Sequence, residues 1–264
     1  MQVINTDVIL SAAITTLVII IILIIIQVKM KLDWKIFYAS ILCGLPLSYL
    51  INQIKIPILE YVFKSQIAQK SLSLLDGIVW VLIVGVTEET IKFIVFIAFI
   101  IVLKHYNIKS DQKTTITAYG VGIGFGIGEI WYLASLLLFY QTPIIEGSSL
   151  VAWLGGFGFE RFFVTFAHAA IFMLVLYGYR KNTLTTIFFL VVAIIAHALY
   201  DFPIILTAIG IITSFELSLI IILELILGFI VSFFLLDNFL RLHPEKDRDI
   251  KKERLLQRAR DSLE

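Results

Sequence analysis

Cysteine is almost missing from this chain. Cys43 stands alone in an apolar run, which excludes a disulfide framework and any multi-cysteine metal site. Charge is scarce too: Asp, Glu, Lys and Arg make up only 16% of residues, and eight of the 21 Lys and Arg fall in the last 26 residues, from Phe239 onward. The remainder holds no basic patch that could follow a phosphate backbone, so no nucleic-acid partner is expected. What fills the space is apolar sequence, 59% of residues with a mean hydropathy of +0.97, far outside the soluble range. The chain reads as an integral, multi-pass membrane protein in contact with the lipid bilayer.

Asp7 precedes an uncharged run from Val8 to Val28, long enough to cross a hydrocarbon core of ~30 Å. It lacks the basic flank and cleavage site of a secretory signal, so a membrane span is expected. Further spans are predicted over 36–53, 76–103, 114–140, 150–179, 184–209 and 215–240. The predicted fold class is therefore all-α, a polytopic transmembrane helical bundle of about seven spans, or eight if 76–103 breaks near its glutamates. Residues 54–75, with Lys55, Pro57, Lys64 and Lys70 among apolar neighbours, suit a loop with an interfacial amphipathic piece. Lys and Arg concentrate in the loops after the first, third and fifth spans and in the tail. By the positive-inside rule the N-terminus lies outside and the C-terminus inside, most simply at the cell membrane. Residues 1–240 form the bundle, with a functional core about 76–206, and 241–264 form a basic cytoplasmic tail.

Ionisable residues within spans are the informative ones, because a charge in a bilayer costs several kcal/mol unless it is paired or faces a wet cavity. GVTEETIKFIVF, residues 85–96, carries Glu88, Glu89 and Lys92; later spans carry Glu129, then Glu160, Arg161 and His168, then His197 and Asp201, then Glu224. Glu88 and Lys92 are four apart and Glu89 and Lys92 three apart, so either glutamate can meet the lysine on one helix face. One carboxylate is then neutralised in place and the other is free to face a cavity as a general base; a structural ion pair between helices is the plain alternative. Arg161 and His168 are two turns apart on one face. His197 and Asp201 are one turn apart, the spacing at which a carboxylate orients an imidazole. Glycines at 120, 122, 124, 126 and 128 alternate as GxGxGxG, not GxGxxG, and no strand precedes them, so a nucleotide loop is not expected. Gly120, Gly124 and Gly128 instead make one small-residue face for close helix packing. Glu216 is expected at a membrane edge, and Glu224 either is protonated or pairs with Arg161 or Lys92.

EETIK at 88–92, FGIGE at 125–129, His168 following an arginine, and HALYD at 197–201 resemble the motifs of PrsW-type intramembrane proteases, in the superfamily of the CAAX prenyl proteases and ABI (CPBP) proteins. The glycine-rich stretch before Glu129 and the Glu160–Arg161 pair are similar to YhfC-type peptidases as well. The resemblance covers about residues 76–206. It implies a helical bundle with an intramembrane catalytic cavity that cleaves a membrane-anchored protein or peptide. Glu88 would activate water, with Glu89 and Lys92 in support; His197 and Asp201 match the final motif, whose CAAX counterpart ends in Asn and serves the oxyanion. Glu129 stands where the CAAX branch has a histidine, and Val164 occupies the position four before His168 where that branch has Phe.

Peptide hydrolysis needs a base for water, donors for the oxyanion and an acid for the leaving amine, and this set can supply all three. A metalloprotease version is equally open, with Glu129, His168 and His197 as zinc ligands and Glu88 as base. Two other classes compete: a proton- or cation-coupled transporter, against which no inverted repeat is evident, and a non-catalytic membrane scaffold.

Overall fold

The computed structural model describes residues 6–69, 73–106, 110–140 and 154–241, and among these every regular element is helical. Of the proposed basic tail only Arg241 is described, at the end of the last helix, and residues 242–264 lie outside the described residues, as do residues 150–153 of one predicted span. In chain order the helices are α1 (Thr6–Met30), α2 (Trp34–Gly44), α3 (Leu47–Val62), α4 (Lys64–Gln69), α5 (Leu74–His105), α6 (Asp111–Tyr140), α7 (Phe159–Tyr179), α8 (Thr183–Ala208) and α9 (Ser214–Arg241), with a π-helical turn over Leu154–Gly158 leading into α7.

Helix starts follow local chemistry. The Asp33 side chain accepts from the backbone N–H groups of Lys35 and Ile36 at the start of α2. Ser73 and Asp76 form a reciprocal capping box on α5, and Asn182 accepts from Thr185 N–H at 2.8 Å to begin α8. Each satisfies backbone donors that the first helical turn leaves open. Glu216 has the same role: its carboxylate accepts from Thr213 N–H, and Thr213 Oγ1 accepts from Glu216 N–H, at the entrance to α9.

Among the described residues six stretches are long and apolar enough to cross a membrane, in α1, α2 with α3 as one, α6, α7, α8 and α9. The longest helix, α5, runs 32 residues without a break, so 76–103 is a single segment with Glu88, Glu89 and Lys92 in its middle. The expectation for 54–75 requires correction: α3 continues to Val62 with Pro57 inside it, and α4 follows directly. Pro57 removes one hydrogen bond of the ladder, but its ring sits on an exposed face. Ile51, Asn52 and Leu59 on the opposite face are buried, and that packing outweighs the lost bond.

α6 is the bundle's central helix: every residue from Thr115 to Gly128 is buried. Its alternating glycines serve two neighbours at once. Gly120, Gly124 and Gly128 face Ser40, Ile41 and Leu45 of the α2 segment, while Gly122 and Gly126 face Ala169 and Thr165 of α7. A Cβ on Gly126 would lie 2.5 Å from Thr165 Cα, and one on Gly124 would strike the Ile41 carbonyl. The close approach these glycines permit brings α6 against α7 on one side and α2 on the other. Glu129, one residue beyond the glycine run, is thereby delivered to the partly open end of a tightly packed interface.

Candidate functional site

Glu88, Glu129, Glu160, Arg161, His168, His197, Asp201 and Glu224 line one cavity of about 360 Å³, together with Lys55, Tyr200 and apolar residues that include Trp80, Val84 and Ile205. Glu89 and Lys92 lie directly behind its wall. Side chains from α3, α5, α6, α7, α8 and α9 thus converge, although their sequence positions span 55 to 224.

The polar groups form one chain of contacts in which acids alternate with cations or imidazoles, except where the Lys92 ammonium meets His168 directly. Lys55 Nζ is 2.6 Å from Glu88 Oε1. Glu88 Oε2 is 3.3 Å from His197 Nε2, and His197 Nδ1 is 2.7 Å from Glu89 Oε1. Glu89 also accepts from Lys92 Nζ at 2.5 Å, and that ammonium is 3.4 Å from His168 Nδ1 and 4.5 Å from the centre of the Phe125 ring. His168 Nε2 then meets Glu129 Oε2 at 3.0 Å, Arg161 Nη1 meets the same oxygen at 3.0 Å, and Arg161 Nε donates to Glu160 at 2.8 Å. Asp201 joins from the side, its Oδ2 3.5 Å from His197 Nε2.

Proton positions on the two imidazoles follow from their neighbours. A carboxylate only accepts, so His197 Nδ1 carries a proton toward Glu89. An ammonium only donates, so His168 Nδ1 presents its lone pair to Lys92 and Nε2 carries the proton toward Glu129. Each histidine is therefore backed by a glutamate, an arrangement that fixes the direction of its ring. The rings lie with centroids 5.3 Å apart.

The structure decides one open pairing, agrees with one shared face and changes the candidate metal group. Lys92 pairs with Glu89, not Glu88, because Glu88 is taken by Lys55 from α3. The two-turn spacing of Arg161 and His168 is used by one oxygen of Glu129, which bridges them. The metal-competent group among the described residues is Glu88, His168 and His197, all buried with ligand atoms within 4.8 Å of one another; Glu129 gives way to Glu88 because it is drawn aside by Arg161. These three residues could hold a metal. His197 offers Nε2 with Nδ1 held on a carboxylate, whereas His168 has the Lys92 ammonium 3.4 Å from Nδ1 and Glu129 3.0 Å from Nε2, so either of its nitrogens would give up a neighbour to serve as a ligand.

Asp201 is about a third exposed at the cavity edge, and Glu224 lines the cavity with no ion pair to Arg161 or Lys92 among the described residues. Lys55 and Tyr200 are the participants that sequence reasoning missed. A signal for Lys55 existed: Ser48, Asn52 and Lys55 fall at i, i+4 and i+7, a polar stripe on one helix face, and Ser48 and Asn52 are both buried.

Comparison of the chain with family models, curated proteins and solved structures finds no match.

Proposed function

We propose that this protein is an intramembrane endopeptidase that hydrolyses a peptide bond of a membrane-anchored protein or peptide. The motif resemblance to PrsW-type, CAAX-type and YhfC-type proteases supports it. One observation carries it: Glu88 is 2% exposed, it lines the cavity, and its Oε2 makes no hydrogen bond among the described residues while facing His197 Nε2 at 3.3 Å. A buried carboxylate oxygen aimed into a cavity with a second carboxylate, two oriented imidazoles and a fixed guanidinium around it is suited to activating water.

In this reading Glu88 Oε2 takes a proton from water as the water oxygen bonds to the peptide carbonyl carbon. The oxyanion is met by donors on the His197 and Arg161 side of the cavity. Collapse breaks the C–N bond, and the proton held by Glu88 passes to the leaving amine. Glu89, neutralised by Lys92, holds His197 in register, and Glu129 does the same for His168. Apolar wall residues such as Trp80, Val84 and Ile205 accept the substrate's apolar side chains and limit the water admitted. A zinc ion held by Glu88, His168 and His197 would supply Lewis-acid polarisation of the carbonyl; the Lys92 ammonium beside His168 favours the metal-free form.

The proposed topology has seven spans, with α2 and α3 forming one and α5 another, the N-terminus outside and the C-terminus in the cytoplasm of a cell whose plasma membrane holds the protein. The test is cleavage of a panel of membrane-anchored peptides by purified wild type and Glu88→Gln reconstituted in lipid vesicles in matched amounts. Cleavage by wild type that falls by ~10²–10⁴ in folded Glu88→Gln is expected. Equal cleavage by both removes Glu88 as the base, and proton- or cation-driven uptake into the vesicles without cleavage moves the assignment to a transporter.

A further inference from the structure

We propose that Lys55 is a positioning residue of this site: its ammonium pins Oε1 of Glu88, so that Oε2 is the oxygen presented to the imidazoles and to the attacking water. The inference rests on the hydrolase reading above and adds to it a residue from α3, outside every motif that suggested that reading.

The geometry divides the two oxygens of Glu88 between two tasks. Oε1 is 2.6 Å from Lys55 Nζ, with the two side chains 3% and 13% exposed. Oε2 has no hydrogen bond among the described residues and faces His197 Nε2 at 3.3 Å. The terminal torsion of a glutamate is broad and roughly two-fold, so burial alone does not decide which oxygen faces which way. A charge-assisted contact to one oxygen does. Among the described residues no other lysine or arginine is paired with Glu88, since Lys92 is committed to Glu89 and Arg161 to Glu129 and Glu160.

The backbone that carries Lys55 is itself held in place. Asn52 Nδ2 donates to the Ser48 carbonyl at 2.7 Å one turn earlier, and Leu59 one turn later is buried in a small cluster with Phe63 and Val84 of the cavity wall. The ammonium is thus delivered from a packed helix face instead of a free loop. Lys55 keeps its protons throughout: the water proton goes to Glu88 and then to the amine, and no bond to Lys55 forms or breaks.

A plain tie between α3 and α5 would also place Lys55 beside Glu88, so the test must read more than folding. Turnover of a vesicle-reconstituted peptide cut by wild type is measured for Lys55→Met, Lys55→Gln and Lys55→Arg, with kcat and KM separated and the folded fraction normalised by thermal unfolding. A misplaced base is expected to lower kcat by ~10–100-fold in Lys55→Met with KM within about threefold of wild type, and Lys55→Arg is expected to recover kcat to within about fivefold. Lys55→Gln carries the same comparison if the methionine variant does not fold. A folded, uncharged variant with wild-type kcat overturns the positioning role and leaves the hydrolase reading standing. A loss of kcat that arginine does not recover at all assigns the effect to shape, not charge, and overturns it too. A wild type that cuts none of the peptides, while its folded state is intact, removes the hydrolase reading and this inference with it.

Discussion

Replacement of Lys92 by methionine is the perturbation whose size follows most directly from the structure. Lys92 is completely buried, and its ammonium touches Glu89 at 2.5 Å, His168 at 3.4 Å and the Phe125 ring at 4.5 Å from its centre. Methionine nearly preserves the volume of the stem, so a cavity contributes little. What changes is Glu89, itself fully buried, whose Oε1 would keep only His197 Nδ1 and whose Oε2 already has no hydrogen bond. Removing one partner of a buried pair strands the other charge and costs roughly 3–5 kcal/mol. For a chain of this size that is a fall in melting temperature on the order of 10 °C. The companion Glu89→Gln removes the stranded charge, so Lys92→Met/Glu89→Gln should be more stable than the sum of its single changes, by roughly 0.5–3 kcal/mol. Thermal unfolding of the four purified proteins in one detergent closes the cycle. Additive shifts, or a Lys92→Met protein as stable as wild type, would refute the claim that this pair carries the buried charge balance.

Three further outcomes are expected. Gly124→Val places side-chain carbon against the Ile41 carbonyl of α2; overpacking of ~1–3 kcal/mol or more should lower the yield of folded protein, whereas Gly156→Ala, with open space around its Cβ position, should leave it unchanged. Arg161→Lys keeps the charge but loses the planar fork that serves Glu160 and Glu129 together, so it should destabilise the protein by roughly 1–3 kcal/mol and not behave as wild type in a melting assay. Chelation of the purified protein is expected to leave peptide cleavage intact; loss of cleavage that one equivalent of zinc restores, with metal content abolished in His197→Ala, would assign an ion to Glu88, His168 and His197.

What the sequence by itself determined is whatever depends on neighbours within one helix or on composition. The apolar runs are read from their length, because an uncharged stretch of about 20 residues has few alternatives to a membrane helix. The pairing of Glu89 with Lys92 and the approach of His197 to Asp201 lie within reach of residues three and four apart, and the alternating glycines announce close helix packing. Only the tertiary structure decided which carboxylate meets which cation between helices. Glu88 could not be told from Glu89 as the partner of Lys92, since both spacings are permitted, and the choice falls to Glu89 because α3 brings Lys55 to Glu88. That contact was invisible for a second reason: Pro57 and three lysines made 54–75 resemble a loop, and the buried face of α3 that overrides this shows itself only once α5 and α6 are packed against it. Glu129 likewise has no partner in its own helix, and its bridge between Arg161 and His168 exists because Gly122 and Gly126 let α6 approach α7 closely. Helix-local order follows from 3.6 residues per turn, whereas the site depends on contacts between helices, such as Lys55 with Glu88 at 33 positions and Glu89 with His197 at 108 positions along the chain, whose geometry is set by how closely the helices pack.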